Sequence, residues 1–508
     1  MINDGNRKWW VVAAMGMILV LLNIDRSGLP IALPAIGRNL DMSTAGLQWT
    51  LNAYVLALAA LSLAAGRLAD IFGRKKVVLI GTAVFILGSA AAGLAQSDGW
   101  LVASRVIQGL GAAGVFATSL SVVSNAFPEE EQGRGIAAWA TIGGIGLSIS
   151  PLLVGTLTNV LSWRWVFFVN VPIALVAMLL TLTAVRESRD ETAGRHVDLI
   201  GLVSLIGGLT ALVFALQQGS LSGWGSAPVL GSLVAAAVLL GFFILVEPRV
   251  HEPLIELGLF TSRGYLGANA VAASNSFVVG ALLFLLTLYL QNVLGLSALS
   301  TGVVFIAYTV AVVIFEAASG TAGEKFGFTI PMAGGMALMA AGFFVLALVT
   351  PTSGVSIVIV AISITGIGMG LSFTISTTSG MANVSRAKAG AASGILTLGR
   401  LIATAFGVAA AGGLFKTLEN YKLSQLLRDA GANLGSTERT EIRALLSGSQ
   451  GAEAGLARLA PEASSQVESV VNQAFVYGFS GAMLLCALVS VVGVLAAFLV
   501  PPRAPGSQ

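Results

Sequence analysis

Runs of about 20 apolar residues recur along this chain at nearly regular intervals, and no other feature constrains its fold as strongly. A run of that length crosses the hydrocarbon of a bilayer as a helix, and backbone in hydrocarbon must satisfy its own hydrogen bonds. The runs fall near 10–36, 45–66, 77–96, 99–126, 134–160, 163–185, 198–218, 227–247, 265–291, 300–321, 330–349, 354–379, 389–415 and 473–499. Only 10% of the 508 residues are charged, and 56% are hydrophobic. Soluble domains carry about 25% charged residues, so the deficit excludes an ordinary water-facing surface. The expected fold is all-α: a polytopic membrane protein with 14 transmembrane helices.

Several functions drop out on composition. A net charge of +3 without clustered Lys and Arg on a soluble face excludes nucleic acid as a partner. Cys486 is the single cysteine, lies in an apolar run and reads as packing. His196 and His251 fall in polar connections, so neither a metal site nor a buried histidine relay is expected, and no cofactor either. The run after Arg7 and Lys8 is too long for a signal peptide and has no small-residue cleavage site, so it reads as a retained first span.

Cations in the connections set the expected orientation. Arg7, Lys8, Arg67, Arg74, Lys75, Lys76, Arg134, Arg186, Lys325, Arg386 and Lys388 fall on one side, against Arg38 and Arg164 in the short loops of the other. The positive-inside rule places both termini in the cytoplasm. The long connection 416–472 is then external, with helix-like spacing at Leu418–Leu427 and Glu438–Leu446. It reads as a solvated cover, with a substrate gate as the alternative.

The chain repeats itself. GRLADIFGRKKV, from Gly66, is echoed by GTAGEKFGFTIP from Gly320, and EEQGRGIAAW from Glu130 by SRAKAGAASG from Ser385, each about 254 residues on. The expected organisation is a six-helix half at 1–190, two inserted helices at 191–262, and a second six-helix half at 263–508. Paired halves around a central cavity are a transporter architecture.

These residues carry a family resemblance over nearly the whole chain. Gly66-Arg67-Leu68-Ala69-Asp70 with Gly73-Arg74-Lys75 resembles the loop 2–3 signature of the major facilitator superfamily. Arg105 with Gln108-Gly109 and Gly111-Ala112-Ala113 is similar to its fourth-span motif. Trp163-Arg164-Trp165, Phe167-Phe168 and Asn170-Val171-Pro172 resemble the start of its sixth span. Asp25 with Ala32-Leu33-Pro34 matches the first span of the fourteen-span drug:proton antiporter branch. The fifth span departs from the branch: in Gly146-Leu147-Ser148-Ile149-Ser150-Pro151 and Val154-Gly155, two glycine positions hold Ser150 and Val154. Ile71 replaces a usual basic residue and Pro30 a frequent Asn.

Charges inside hydrocarbon cost about 2.5–3.5 kcal/mol each on insertion scales, which makes Asp25, Arg26, Arg105, Glu316 and Arg400 functional candidates. At 1.5 Å per residue, Asp25 lies roughly 14 Å and Arg105 roughly 9 Å from the outer end of its span, close enough to meet. Asp25, Arg105 and Glu316 are expected to serve proton coupling; for the first two the alternative is a static ion pair. Asp25, Arg26, Gln108 and Arg400 are expected to line the substrate cavity. Arg26 could equally hold an anionic substrate group or snorkel, Glu316 could be structural, and Arg400 could simply bond neighbouring helices. Through the resemblance, Gly66, Asp70, Gly73 and Arg74 form a conformational latch, with a topology anchor as the plainer reading. Gly146, Ser150, Pro151 and Gly155 mark the antiporter-motif helix.

What the resemblance implies is a secondary active exporter, not an enzyme, that moves lipophilic or amphipathic small molecules outward in exchange for protons. The expected setting is a monomer in the lipid bilayer of the cytoplasmic membrane. A proton-coupled symporter on the same fold is the alternative, kept open by the altered fifth span. A primary pump would need a phosphate loop ending in Gly-Lys-Ser/Thr, and no connection carries one.

Overall fold

The computed structural model describes the chain except residues 1, 2, 4, 129–130, 190–197, 251–254, 385–387, 430–460 and 502–508. His196, His251, Arg386 and the stretch Glu438–Leu446 lie outside the described residues.

Described residues are helical throughout, without a strand. The first apolar run forms α1 (Arg7–Asn23), a π-helical turn (Ile24–Gly28) and α2 (Leu29–Leu40). There follow α3 (Thr44–Phe72), α4 (Arg74–Gly93), α5 (Asp98–Asn125), α6 (Gln132–Val160), short α7 (Trp165–Phe168) and α8 (Asn170–Ala184). Next come α9 (Leu199–Ser222), α10 (Ala227–Val246), α11 (Arg263–Leu288), α12 (Ala298–Phe326), α13 (Thr329–Ala347), α14 (Val355–Ala382), α15 (Ala389–Asp429) and α16 (Pro461–Ala497). Among the described residues 13 helices are long and apolar enough to cross a membrane, and 14 if α3, bent by 47° next to Ser62, counts as one span. Large apolar side chains such as Ile80, Leu87, Leu179, Val234 and Leu245 are exposed on these helices, as faces turned to lipid must be.

Helix ends follow local chemistry. Ser97, Ser262 and Ser297 cap α5, α11 and α12 by accepting a bond from the backbone N–H three residues on. Gly73 (φ +113°) separates α3 from α4, and Gly327 (φ +73°) separates α12 from α13. Both are left-handed positions that favour glycine, and they occupy the same place in the two copies of the repeated loop.

Contacts divide the chain into two compact units. One holds Met1–Leu29, Thr50–Thr210 and Ala235–Glu256; the other holds Pro30–Trp49, Ala211–Val234 and Leu257–Gln508. Each is built on close glycine contacts, and these recur between them. In the first unit, a Cβ on Gly109 would stand 2.5 Å from the Tyr54 carbonyl oxygen, and one on Gly81 2.8 Å from that of Gly111. In the second, the same holds for Gly366 on Tyr308 and Gly335 on Gly368, both at 2.6 Å. Backbone-to-backbone packing of this kind is how small residues draw membrane helices together.

The 416–472 connection is shorter than its polarity suggests. α15 runs on to Asp429 and α16 begins at Pro461, so Leu418–Leu427 continues a span instead of forming a separate surface helix. Lys416 donates to Glu419 at 2.6 Å, and Glu419 is wholly buried. The pair hides the charges that break the apolar pattern there.

Candidate functional site

The π-helical turn in the first span positions the acid. Backbone N–H of Leu29 bonds the Ile24 carbonyl five residues back, and such bulges often mark functional sites. Asp25 is buried at 1% exposure, whereas its neighbour Arg26 is half-buried.

Arg105 reaches Asp25 from α5. Its Nη1 donates to Asp25 Oδ1 at 2.9 Å and to Gln108 Oε1 at 2.5 Å, and its Nε donates to the Thr50 carbonyl at 3.0 Å. Gln108 Nε2 closes the triangle on Asp25 Oδ2 at 2.6 Å. Arg105 and Gln108, three apart on one helix, thus hold one carboxylate oxygen each. All three side chains are fully or almost fully buried, where an ion pair requires this many hydrogen bonds to offset its lost hydration.

A second layer fixes the first. Ser89 Oγ, on α4, accepts from Gln108 Nε2 and from Asn170 Nδ2, both at 3.3 Å, and donates to the Phe167 carbonyl at 3.0 Å. The Arg105 guanidinium lies over the Tyr54 ring, 4.2 Å from its centroid, a cation–π contact that desolvation strengthens. Gly88 lets α4 approach at all: a Cβ there would be 2.5 Å from the Gln108 nitrogen. Among the described residues, no hydrogen-bond partner reaches the buried Tyr54 Oη, Asn170 Oδ1 or Arg105 Nη2.

The fifth-span residues frame the turn from behind. Gly146 packs on Val20 of α1, and Asn23 Nδ2 donates to the Gly143 carbonyl at 2.8 Å. A Cβ on Gly28 would stand 3.0 Å from the Ser150 carbonyl oxygen and 2.5 Å from Val154 Cγ2. Ser150, Pro151 and Gly155 are buried in α6, and the Ser150 hydroxyl bonds the Gly146 carbonyl.

In the other unit, Glu316 and Arg400 are both half-buried and both engage α14. Thr374 Oγ1 donates to Glu316 Oε1 at 2.7 Å. Arg400 Nη2 donates to the Phe373 carbonyl, Ser376 Oγ and Thr377 Oγ1 at 3.0, 3.2 and 2.7 Å, with its guanidinium 4.0 Å from the Phe373 ring centroid. One turn of hydroxyl-bearing helix therefore holds charges of both signs. Above it, Ser372 Oγ donates to buried Asn275 Oδ1 at 3.1 Å.

The 66–77 loop is clasped by the end of α8. Arg74 donates to Asp70 Oδ1 through Nε (3.1 Å) and Nη2 (2.8 Å). Glu187 Oε1 accepts from Lys75 N at 3.0 Å, and Arg74 N donates to the Ser188 carbonyl at 3.0 Å. A carboxylate at the first turn of α4 also opposes the positive end of its dipole. Gly66 packs loosely, 3.9 Å from the Ala117 Cβ for a Cβ built on it.

Of the residues singled out in the sequence, Asp25, Arg105 and Gln108 meet directly, and so do Asp70 and Arg74. Gln108 belongs to the acid's own hydrogen-bond shell. Tyr54, Ser89 and Glu187 carry no motif beyond their type, and only the three-dimensional contacts reveal them. Among the described residues, no group of three His, Cys, Asp or Glu side chains could hold a metal.

A bundle of apolar helices in two units, with a charged pair buried between its first and fourth spans, defines a membrane transporter. The chain belongs to the Major Facilitator Superfamily, whose family model matches residues 15–408. It is 36% identical over 400 residues to multidrug resistance protein Stp of Mycobacterium tuberculosis (strain CDC 1551 / Oshkosh), covering 78% of this chain and 74% of the relative. It is 30% identical over 505 residues to the tetracenomycin C resistance and export protein of Streptomyces glaucescens, covering 99% and 93%. The fold matches the crystal structure of a bacterial homolog to the human lysosomal transporter Spinster, inward-facing and unoccupied. There the TM-score is 0.68 at 17% identity, covering 97% of this chain and 98% of that one.

Proposed function

We propose that this chain exports lipophilic or amphipathic small molecules, drugs and antibiotics among them, across the cytoplasmic membrane in exchange for protons. The observation that carries the reading is the buried Asp25 carboxylate held by Arg105 and Gln108. Asp25 takes the coupling proton. Gln108 offers both an amide donor and a carbonyl acceptor, so a rotation of its amide serves the charged carboxylate or the neutral acid. The unmatched polar atoms of Tyr54 and Asn170 supply further bonding capacity beside it. Relatives named for multidrug resistance and for tetracenomycin C export support the outward direction.

For the substrate, the contacts we infer are Arg26 in the first unit and, in the second, Arg400 with the hydroxyl-rich turn 373–377; Glu316, bonded by Thr374, is a second candidate for proton coupling. The two six-helix halves alternate access as a monomer, the 66–77 loop serves as the latch, and both termini lie in the cytoplasm. Support for the orientation is the cation bias of the connections. The test is transport of a lipophilic dye in proteoliposomes with an imposed pH gradient. Opposite movement of dye and protons is expected; co-directional movement would replace exchange with symport.

A further inference from the structure

The glycine contacts that recur in the two units also equate their polar centres. Gly109 of α5 packs on the Tyr54 carbonyl of α3 as Gly366 of α14 packs on that of Tyr308 in α12. Gly28 meets the Ser150 carbonyl of α6 as Gly280 of α11 meets the Thr404 carbonyl of α15, 2.6 Å from a built Cβ. Helix α11 is therefore the counterpart of the first span, and α14 the counterpart of α5. In the first unit this helix pair carries Asp25 against Arg105 and Gln108. In the second it carries Asn275 against Ser372, whose Oγ donates to Asn275 Oδ1 at 3.1 Å. Asn275 is wholly buried, and among the described residues its Nδ2 has no hydrogen-bond partner. The buried residues on either side of it in α11 are largely apolar, with Val271, Ala272, Val278 and Val279. One turn along α14 from Ser372, Ser376 Oγ accepts from Arg400 at 3.2 Å.

We propose that Asn275 is a specificity-determining residue whose Nδ2 donates to a carbonyl oxygen of a lipophilic substrate bound in the second unit. The inference rests on the proposed substrate class and names one group that its preferred members carry. Ser372 sets the polarity of the site: with Oδ1 taken, Nδ2 is the end of the amide left to present. A buried N–H without a partner costs about 1–3 kcal/mol, and an acceptor oxygen relieves that cost where a methylene does not. A few convergent polar groups in an apolar wall are how a pocket fixes the orientation of its ligand. A neutral amide discriminates by hydrogen-bonding pattern, not by charge, so the two units divide the work: a charged centre for the proton, a neutral one for the substrate. Asn275 is covered in this conformation, and alternating access supplies the one in which a ligand reaches it.

The test is equilibrium dialysis of the detergent-solubilised full chain, against protein-free micelles, with xanthone and xanthene, lipophilic tricycles that differ by the ketone oxygen. Xanthone should bind roughly tenfold more tightly, the ratio that one net hydrogen bond supplies. Asn275→Leu, or Asn275→Ala should the leucine variant not fold, should erase that preference by weakening xanthone alone. Asn275→Gln keeps the donor and should retain part of it, and Ser372→Ala, which frees the amide to turn, should lower it. Equal binding of the two by the wild-type chain, or a ratio unchanged in the leucine or alanine variant, overturns the inference and leaves the export reading standing. An equal fall for both ligands marks Asn275 as structural and overturns it too. Binding of neither tricycle overturns the substrate class itself, and the inference with it.

Discussion

Gly28 lies directly against Val154, so close that a Cβ on the glycine would stand 2.5 Å from the valine Cγ2. Val154 fills one of the two fifth-span positions where the antiporter branch has glycine, and the bulk it adds is accommodated by a glycine on the facing span. The contact falls at the end of the π-helical turn that carries Asp25. Gly28→Val should therefore displace the turn, with overpacking costs of about 1–3 kcal/mol, and abolish transport. Gly28→Ala should be partly active and be restored by adding Val154→Gly. Dye transport per unit of protein in membranes reads the effect; an inactive double variant would show that the turn needs more than room.

The loop clasp makes a different demand. Any side chain at residue 73 meets both a left-handed backbone and the Glu187 carboxylate, 2.6 Å from a built Cβ. Gly73→Val should cut transport severely while the protein still inserts, because its apolar spans are intact. Glu187→Gln and Asp70→Asn keep shape but weaken charge-assisted bonds, and each should lower transport several-fold. Initial rates normalised to membrane protein decide; wild-type rates in both would leave the loop as a topology anchor.

How much of this was legible in the sequence depends on chemical rarity. Asp25 and Arg105 stand out because a charge in an apolar run demands a partner, and their estimated depths already bring them within reach; Gln108 stands out through the fourth-span motif. Tyr54 and Ser89 do not, since such residues are ordinary in packed membrane helices, and Asn170 is marked only as part of the sixth-span motif, not as a neighbour of the acid. Glu187 is invisible for another reason: its partner is the backbone N–H of Lys75, 112 residues away, and backbone partners leave no trace in side-chain pattern. The π-helical turn has no sequence signature here, although Pro30 and Pro34 mark the region. Residues 416–429 read as loop because hydropathy sees Lys416 and Glu419 as two charges, while in the fold they neutralise each other.

The pairing of Lys8 with Glu131 ties the start of α1 to the start of α6, and it titrates. The hydrogen bond from Lys8, and then its charge, hold the Glu131 carboxyl below its usual 4.5. A lowered folded value means the pair's contribution is complete above the unfolded value and lost as pH falls through the folded one. The difference in thermal midpoint between wild type and Glu131→Gln should be small, constant above about pH 5, and vanish at lower pH. High salt should also shrink it. A difference that grew on acidification would contradict the pairing.

The sharpest test concerns the buried triangle itself. Asp25→Asn keeps the shape and much of the bonding to Arg105 and Gln108 but removes the proton site. Uphill transport driven by a pH gradient should disappear, while downhill substrate exchange, which moves no net proton, should persist. Substrate added to the unbuffered wild-type protein in detergent should change the number of bound protons, and the same addition to Asp25→Asn should not. Arg105→Ala should be damaging for another reason, because a carboxylate buried without its cation costs about 3–5 kcal/mol; lower yield and thermal stability should accompany lost activity. Gln108→Leu should keep the ion pair and the fold but slow the coupled step, since Asp25 Oδ2 then loses the one side-chain donor it has among the described residues. The double variant Asp25→Asn with Arg105→Gln separates the two roles of the pair. It leaves no charge buried at this pair, so a purely structural ion pair predicts recovered transport, and a proton carrier predicts a stable protein that exchanges substrate but cannot concentrate it. Full gradient-driven transport in that variant would move the coupling role to Glu316.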